Sequence, residues 1–321
     1  MKKLTRKIAL AMLLLWMLPF PAKAAKELIP VGQTIGLELQ NGAVTVAGFE
    51  EALAGKLREA GLQVGDRILE VNGKTVTCAQ DIRDALGSGG KVRLCVERKG
   101  KKHTLTMDAQ AGSQGPRLGV YLRQGITGVG TVTWYDPETK AFGALGHGVN
   151  DSSGEPIALA QGSAYPAKIL TVRKGRCGEP GQLMGALAAK EPIGDLTANT
   201  SRGVFGTAEN GWEGDGLPVA SLEQIRTGEA KILSTVDDHG VQEYSVEILK
   251  LYPKSKENGR NMLLKVTDPV LLEATGGIVQ GMSGSPLVQD GKLIGAVTHV
   301  LVNDPTMGYG IFIENMLEAA G

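Results

Sequence analysis

The sequence predicts a mainly β protein in two parts, a small domain followed by a larger β domain, behind a short leader. Three observations carry this. Forty-five glycines stand against 4% aromatic residues in a chain of 321 residues, a balance that favours turn-rich sheet over helical bundles. Short apolar runs separated by Gly, Pro and Asn recur, among them Gly130 to Tyr135, Ala167 to Val172, Gly203 to Thr207, Ala230 to Val236, Glu243 to Leu251 and Met262 to Val266. Several alternate with a two-residue period, as half-buried strands do. Asn72-Gly73 and Asp290-Gly291 each sit between such runs and read as tight hairpin turns, because type I′ turns require positive φ at both central residues. A hydrophobic content of 42% suffices for ordinary cores, and Lys plus Arg equals Asp plus Glu at 34 each. That balance argues against a nucleic-acid or polyanion partner.

Residues 1–24 read as a targeting segment. Lys2, Lys3, Arg6 and Lys7 form a basic start, Ile8 to Phe20 an apolar stretch, and Ala22-Lys23-Ala24 an A-x-A cleavage site. The apolar stretch is short for a span, which needs about 20 residues. The alternative is an uncleaved N-terminal anchor that would hold the chain at a membrane surface. Either way the remainder is expected outside the compartment of synthesis. Cys78, Cys95 and Cys177 are too few for a disulfide framework, and small buried cysteine is the expected state.

Residues 28–108 read as a compact unit. Arg67 to Val71 and Lys74 to Val76 flank the Asn-Gly turn, and Thr77-Cys78-Ala79-Gln80 matches a capping box that opens a helix, Ala79 to Leu86, stopping at Gly87. Lys91 to Arg98 and Lys102 to Met107 form a second hairpin around Lys99-Gly100. With Gln33-Thr34-Ile35-Gly36-Leu37-Glu38-Leu39 and Ala60-Gly61-Leu62-Gln63-Val64-Gly65-Asp66 ahead of these, the unit is similar to a PDZ domain. The resemblance implies that N–H groups around Ile35, Gly36 and Leu37 bind a peptide's terminal carboxylate. The peptide would add as a strand beside Leu37 to Leu39, against the helix. A PDZ fold that only packs on its neighbour or gates it is the other reading.

Ala109 to Pro116 is a linker by composition, which leaves 117–321 as the larger domain. Its chemical centre is Gly276-Gly277-Ile278-Val279-Gln280-Gly281-Met282-Ser283-Gly284-Ser285-Pro286-Leu287-Val288. Here one hydroxyl sits on a glycine-flanked turn running into an apolar strand. A serine nucleophile needs that placement, with the N–H groups of Gly281 and Ser283 turned toward a developing oxyanion and Gly284 allowing close approach of a substrate carbonyl. Two apolar strands joined at Asp290-Gly291 follow, then Gly308 to Ile313 and a short helix, Glu314 to Ala320. This order resembles the second barrel of chymotrypsin-like serine proteases. More closely, Gly276 to Leu317 resembles the SpoIVB family, the stage IV sporulation serine peptidases. The fold then expected is an N-terminal PDZ domain followed by a chymotrypsin-like double β-barrel serine protease domain.

His147, in Ala144-Leu145-Gly146-His147-Gly148, is a glycine-flanked imidazole placed to act as general base toward Ser283. It precedes the serine, as the chymotrypsin order requires, and matches the family's Gly-His-Gly motif. His299 is the competitor, on the strand where Thr298, His299 and Val300 are expected to pair with an extended substrate. The resemblance implies Asp268, fifteen residues before the serine, as the orienting acid; by its own sequence, Asp268-Pro269 is also an ideal N-cap and N1 pair. Asp151 and Asp304 remain alternates. The spacing of the four histidines suggests no metal site, and no cofactor is expected.

The family resemblance also implies export across the forespore membrane to the space between forespore and mother cell, and self-cleavage. It further implies cleavage of a membrane-bound regulator of an intramembrane protease, which leads to processing of pro-sigma-K. Two other readings stay open: a quality-control protease like the HtrA family, whose PDZ domain however follows the protease domain, and a non-enzymatic PDZ signalling or binding module.

Overall fold

The computed structural model describes residues 26–112, 115–150, 154, 156–255 and 259–321. The leader expected at 1–24 lies outside these residues. The chain is mainly β and opens with β1 (Glu27–Pro30) and β2 (Thr34–Phe49). The two halves of β2 serve different bodies. Thr34 to Leu39 pairs with residues 126–131 on one side and Ile35 to Gln40 with 161–166 on the other, whereas Val44 to Phe49 pairs with 120–124 and with Arg67 and Ile68. Between the halves the chain turns at Asn41-Gly42, where Asn41 Oδ1 accepts the Ala43 N–H at 3.0 Å and Gly42 has φ +66°.

The second half of β2 enters the PDZ unit, which continues through α1 (Ala54–Glu59), β3 (Arg67–Val71), β4 (Lys74–Thr75), α2 (Ala79–Leu86), β5 (Lys91–Arg98) and β6 (Lys101–Asp108). Asn72-Gly73 and Lys99-Gly100 have positive φ at both residues, as their hairpins demand. Asp81 closes the α2 capping box by accepting the Cys78 N–H at 3.0 Å. Val44, Leu62, Ile68, Val71, Val92 and Leu94 are fully buried in the core. Beneath them Asp66, with no solvent exposure, receives Arg98 Nε and Nη2, each at 2.6 Å, and the Gln63 N–H at 2.9 Å. The cysteines depart from expectation. Cys78 and Cys95 are half-buried, Cys177 is exposed, and all three are free thiols.

β7 (Val120–Tyr135) carries the chain back. Its first residues pair with the PDZ half of β2, its later ones with the other half. The PDZ unit is therefore inserted between two barrel strands rather than preceding the barrels. Residues 28–40, expected in the small domain, belong to the large one; residues 117–124, expected in the large domain, complete the small one. The turn at residues 41–42 and Gly125 mark the crossing points. Gly125 has φ +74°, and a Cβ there would overlap the Leu39 carbonyl.

β8 (Ala141–Ala144), β9 (Gln161–Arg173), β10 (Gln182–Leu187), β11 (Gly194–Thr200), β12 (Gly203–Thr207) and β13 (Leu217–Pro218) follow. The pairings β2–β7–β8–β12–β11–β9–β2 close a ring around Ile35, Leu37, Leu39, Val132, Phe142 and Val204. The second barrel is built from β14 (Gly228–Thr235), β15 (Val241–Leu251), β16 (Met262–Val266), β17 (Pro286–Gln289), β18 (Lys292–Leu301) and β19 (Asp304–Phe312), closed in the order β14-β15-β16-β19-β18-β17. α3 (Pro269–Thr275) lies between β16 and β17, and α4 (Ile313–Ala320) ends the chain. α4 packs Ile313 and Met316 with Trp134 and Phe205 of the first barrel, burial worth about 1.5–3 kcal/mol per side chain. Arg202 Nη1 donates to Glu318 Oε2 at 2.7 Å across the same seam. No helix among the described residues is long and apolar enough to cross a membrane.

Candidate active site

Ser283 lies on the loop between α3 and β17, where that loop meets the first barrel. The loop's carbonyls are held from below by β7. Thr131 Oγ1 donates to Gly281 O at 2.8 Å, Thr131 N–H to Ser283 O at 2.9 Å, and Thr133 Oγ1 to Gly284 O at 2.7 Å. Gln280 is fixed from the side, donating to Gly181 O at 2.9 Å and accepting the Leu183 N–H at 2.8 Å. With its acceptors tied down, the loop leaves the N–H groups of Gly281 and Ser283 with no acceptor among the described residues. Gly281 has φ +101°, a conformation that a side chain would strain. Gly284, at φ +96°, has a different duty from the one its sequence suggested. It does not clear a path for substrate; a Cβ there would overlap the Thr131 carbonyl and stand 2.5 Å from the Leu145 N. The residue lets the two barrels touch.

His147 comes from the other side of the junction. Leu145 and Gly146 both adopt left-handed φ, +67° and +69°, and this double turn carries the chain from β8 into the cleft. For a leucine the conformation costs about 1–2 kcal/mol, and burial of its side chain against Gly130 offsets it. Gly146 approaches β18 and β19: a Cβ would lie 2.8 Å from Thr298 Cγ2 and 2.9 Å from Ile311 Cγ2. His147 Nδ1 is 2.9 Å from Gly148 O. A carbonyl only accepts, so Nδ1 carries the proton and Nε2 the lone pair, the tautomer a general base needs. Asn199 braces this loop, its amide bonding both the N–H and the C=O of Val149 at 2.9 and 2.8 Å.

His147, Gly281, Ser283, Thr298, His299 and Val300 line one cleft of about 430 Å³. The Ser283 hydroxyl donates to Thr298 O at 2.7 Å, so its proton rests on the cleft strand and not on His147. The rings of His147 and His299 pack 5.2 Å apart, centroid to centroid. Burial holds the His147 imidazole below its ordinary pKa against the opposing pull of the Gly148 carbonyl. Burial, then the charges of His147 and Arg260, push His299 down to about 4. Its Nδ1 is buried without a hydrogen-bond partner among the described residues. Both rings are therefore neutral near pH 7.

The structure does not bring the expected acid to this cleft. Asp268 caps α3. Its Oδ1 accepts the Val270 and Leu271 N–H groups at 2.9 and 3.1 Å, and its Oδ2 accepts the Ser245 N–H at 3.2 Å. Backbone donors thus occupy both oxygens, and the orienting partner of His147 is the Gly148 carbonyl. Asp304 is likewise engaged locally, by the Thr306 N–H and hydroxyl at 3.1 and 2.6 Å. Asp151 lies outside the described residues. Asp237, Asp238 and His239 gather ligand-type atoms within 4.8 Å on a surface turn remote in sequence from the cleft residues.

Ile35, Gly36 and Leu37 are not a carboxylate-binding loop. They lie within β2 in the first barrel, hydrogen-bonded between β7 and β9, with Ile35 and Leu37 in the core. The groove beside α2 is lined instead by Arg117, Leu118, Gly119, Val120 and Leu122, facing Ala79, Ile82 and Leu86. Arg117-Leu118-Gly119-Val120 supplies the loop, Gly119 has φ +72°, and the Leu118 and Gly119 N–H groups have no acceptor among the described residues. The signal was present in the sequence as Leu-Gly-Val before an alternating Tyr121-Leu122 run. Sequence reasoning also missed Thr131, Thr133 and Asn199, which resemble any threonine or asparagine of a strand.

A PDZ unit carried on a double barrel, with a glycine-flanked serine and a histidine meeting at the junction, defines the architecture of a PDZ-bearing chymotrypsin-like serine peptidase. The SpoIVB peptidase S55 family model matches residues 114–317, and a PDZ domain model matches residues 54–98. The chain belongs to the SpoIVB peptidase S55 family. It is also 31% identical over 126 residues to a probable periplasmic serine endoprotease DegP-like of Pseudomonas fluorescens, a match covering 36% of this chain. The chain spans 26% of that relative's length. Among solved structures, the Rv3671c protease in its inactive form is similar at 14% identity with a TM-score of 0.35, covering 60% of this chain and 84% of that one. An inactive mutant of Rv3671c from M. tuberculosis H37Rv gives 13% identity and a TM-score of 0.32, covering 60% and 82%.

Proposed function

We propose that the chain is a serine endopeptidase in which His147 Nε2 takes the hydroxyl proton of Ser283 and the serine oxygen attacks a peptide carbonyl. The observation that carries this is the pair of free N–H groups, Gly281 and Ser283, on a loop whose carbonyls are clamped by Thr131 and Thr133. Donors fixed in this way stabilise an oxyanion without reorganising, and each is worth about 10²–10³ in rate. Ser283 first turns from Thr298 O toward His147. The tetrahedral oxyanion then collapses, the C–N bond breaks, and His147 returns the proton to the departing amine. A water repeats the sequence on the acyl-serine, releasing the acid and restoring the hydroxyl.

The proposal extends to substrate and place. Family membership supports a sporulation signalling peptidase, exported across the forespore membrane, secreted or held by its N-terminal segment. It would cleave itself and a membrane-bound regulator so that an intramembrane protease processes pro-sigma-K. The PDZ groove beside α2 would take a peptide C-terminus. A second reading, a binding module with a structural serine loop, draws on the Ser283 hydroxyl resting on Thr298 O.

Intact-mass analysis of residues 25–321 and of the Ser283→Ala form, with fluorophosphonate labelling, separates the readings. The peptidase reading expects self-cleavage and labelling only in the unmodified protein. Neither event in either protein would leave the binding module standing.

A further inference from the structure

A second groove of about 670 Å³ continues from the Ser283 cleft. It shares Leu37, Gly128, Val129, Gln280 and Gly281 with the cleft but contains none of Thr298, His299 and Val300. If the acyl half of a substrate lies along β18, the chain beyond the scissile bond leaves on this opposite side, past Gly281. The groove is walled by β10 and floored by the outward face of β2. On that face Gly36 contributes no side chain and Glu38 contributes a carboxylate. Glu38 is the one acidic side chain in a lining otherwise made of aliphatic residues, glycines and neutral polar groups.

Its neighbours orient this carboxylate without neutralising it. Gln40 Nε2 donates to Glu38 Oε1 at 2.9 Å, and the Tyr165 hydroxyl lies 3.5 Å from Oε2. No cation stands within ion-pair distance of Glu38 among the described residues. A half-buried carboxylate held in place by neutral donors favours a cation, and its charge-assisted hydrogen bonds are roughly twice as strong as neutral ones. The aliphatic walls, Leu183, Ala186 and Leu187, suit the methylene stem of a long basic side chain.

We infer that the groove floored by Gly36 and Glu38 is the leaving-group subsite of the Ser283 cleft, and that it takes a lysine or arginine just after the scissile bond. This rests on the peptidase reading above. It makes Glu38 a specificity determinant that touches substrate but not the reacting atoms.

Acyl transfer tests the subsite directly. A p-nitrophenyl ester acylates Ser283 with release of p-nitrophenolate; an amino-acid amide then attacks the acyl-serine through its amine, forming the amide bond and restoring the hydroxyl. Argininamide and leucinamide compete as acceptors on the full chain, so the measurement is the product ratio within each protein. The expected ratio favours argininamide by about tenfold, falls to about one in Glu38→Gln, and turns in favour of leucinamide in Glu38→Lys. Equal use of the two acceptors by the unmodified protein, or an unchanged ratio in Glu38→Gln, would overturn the subsite while leaving the peptidase reading intact. Failure of the ester and of a fluorophosphonate to acylate Ser283 would remove the peptidase reading, and the subsite with it.

Discussion

The hydroxyl of Thr131, a residue with no solvent exposure, donates to the carbonyl of Gly281 at 2.8 Å, so a strand of the first barrel sets the orientation of the serine loop of the second. Thr131→Val keeps the volume and deletes that bond. It strands a carbonyl at a cost of about 1–3 kcal/mol and frees the Gly281 peptide to rotate. Activity on an ester substrate should fall about 10²-fold in kcat with little change in KM, as expected when an oxyanion donor loses its aim. Thr131→Ser should recover most of the rate. A Thr131→Val enzyme of normal kcat would mean that the loop holds its shape unaided.

Asp268 gives a sharper choice. If it is the cap of α3, Asp268→Asn keeps an acceptor oxygen and should stay within a few fold of full activity. Asp268→Ala should lose about 1 kcal/mol of stability. A loss near 10⁴-fold in Asp268→Asn, the size expected when a triad acid is neutralised, would instead place the residue in the catalytic relay.

The pH profile follows from burial. His147 is held below its ordinary value of 6.5, so the base remains neutral as pH drops through 6.5 and loses its lone pair only lower down. The acid limb of kcat/KM should therefore lie below pH 6.5. His299, pushed down to about 4, should leave that limb nearly unchanged when replaced by Gln. A limb at or above 6.5 would show a solvated imidazole.

In the PDZ unit, burial raises the carboxyl pKa of Asp66, but the Arg98 fork and the Gln63 N–H outweigh it and leave the group below its ordinary value. A depressed folded value stabilises the fold above the unfolded pKa and is lost as pH falls through the folded one. Thermal melts should thus weaken on acidification below about pH 4. Asp66→Ala, which leaves Arg98 unpaired, should cost about 3–5 kcal/mol. Urea titration followed at the PDZ unit checks this, and a midpoint unchanged from the parent would contradict the pairing.

Gly284→Ala brings a Cβ against the Thr131 carbonyl at φ +96° and should misfold the junction or abolish labelling of Ser283. Gly291→Ala, in an open turn where a Cβ meets nothing within 4 Å, supplies the control. It bears only the cost of its own φ of +71°, and should still be labelled.

The local features of the chain were legible in its sequence. Asn72-Gly73 and Asp290-Gly291 specify their hairpins through the conformations of two adjacent residues. The helix from Ala79 to Leu86 has the expected bounds, although its capping box joins Cys78 to Asp81, one residue beyond the Thr77 and Gln80 that the sequence pattern suggested. The serine loop and the Gly-His-Gly turn could be read because glycine records where backbone must do what other residues cannot. What escaped was non-local. Nothing within Ile35-Gly36-Leu37 says that its partners are Gly130, Val129 and Gly128 on one side and Pro166, Tyr165 and Ala164 on the other. An alternating strand satisfies a PDZ sheet and a barrel equally well. Asp268 misled for a related reason, since one aspartate followed by proline serves equally as a helix cap and as a residue at the expected distance from a serine.

The insertion of the PDZ unit between β2 and β7 changes what it means to take this molecule apart. A cut at the glycine-rich segment around Gly112 would not release two working pieces, because β1 and the first half of β2 would leave with the amino-terminal fragment. The remaining barrel would lack a stave. The exposed amides of β7 and β9 would face water along the gap, and the threonines that grip the serine loop would sit on an unsupported edge. To excise the PDZ unit cleanly, the chain must be rejoined from Gln40 to Gly125 so that the ring stays closed.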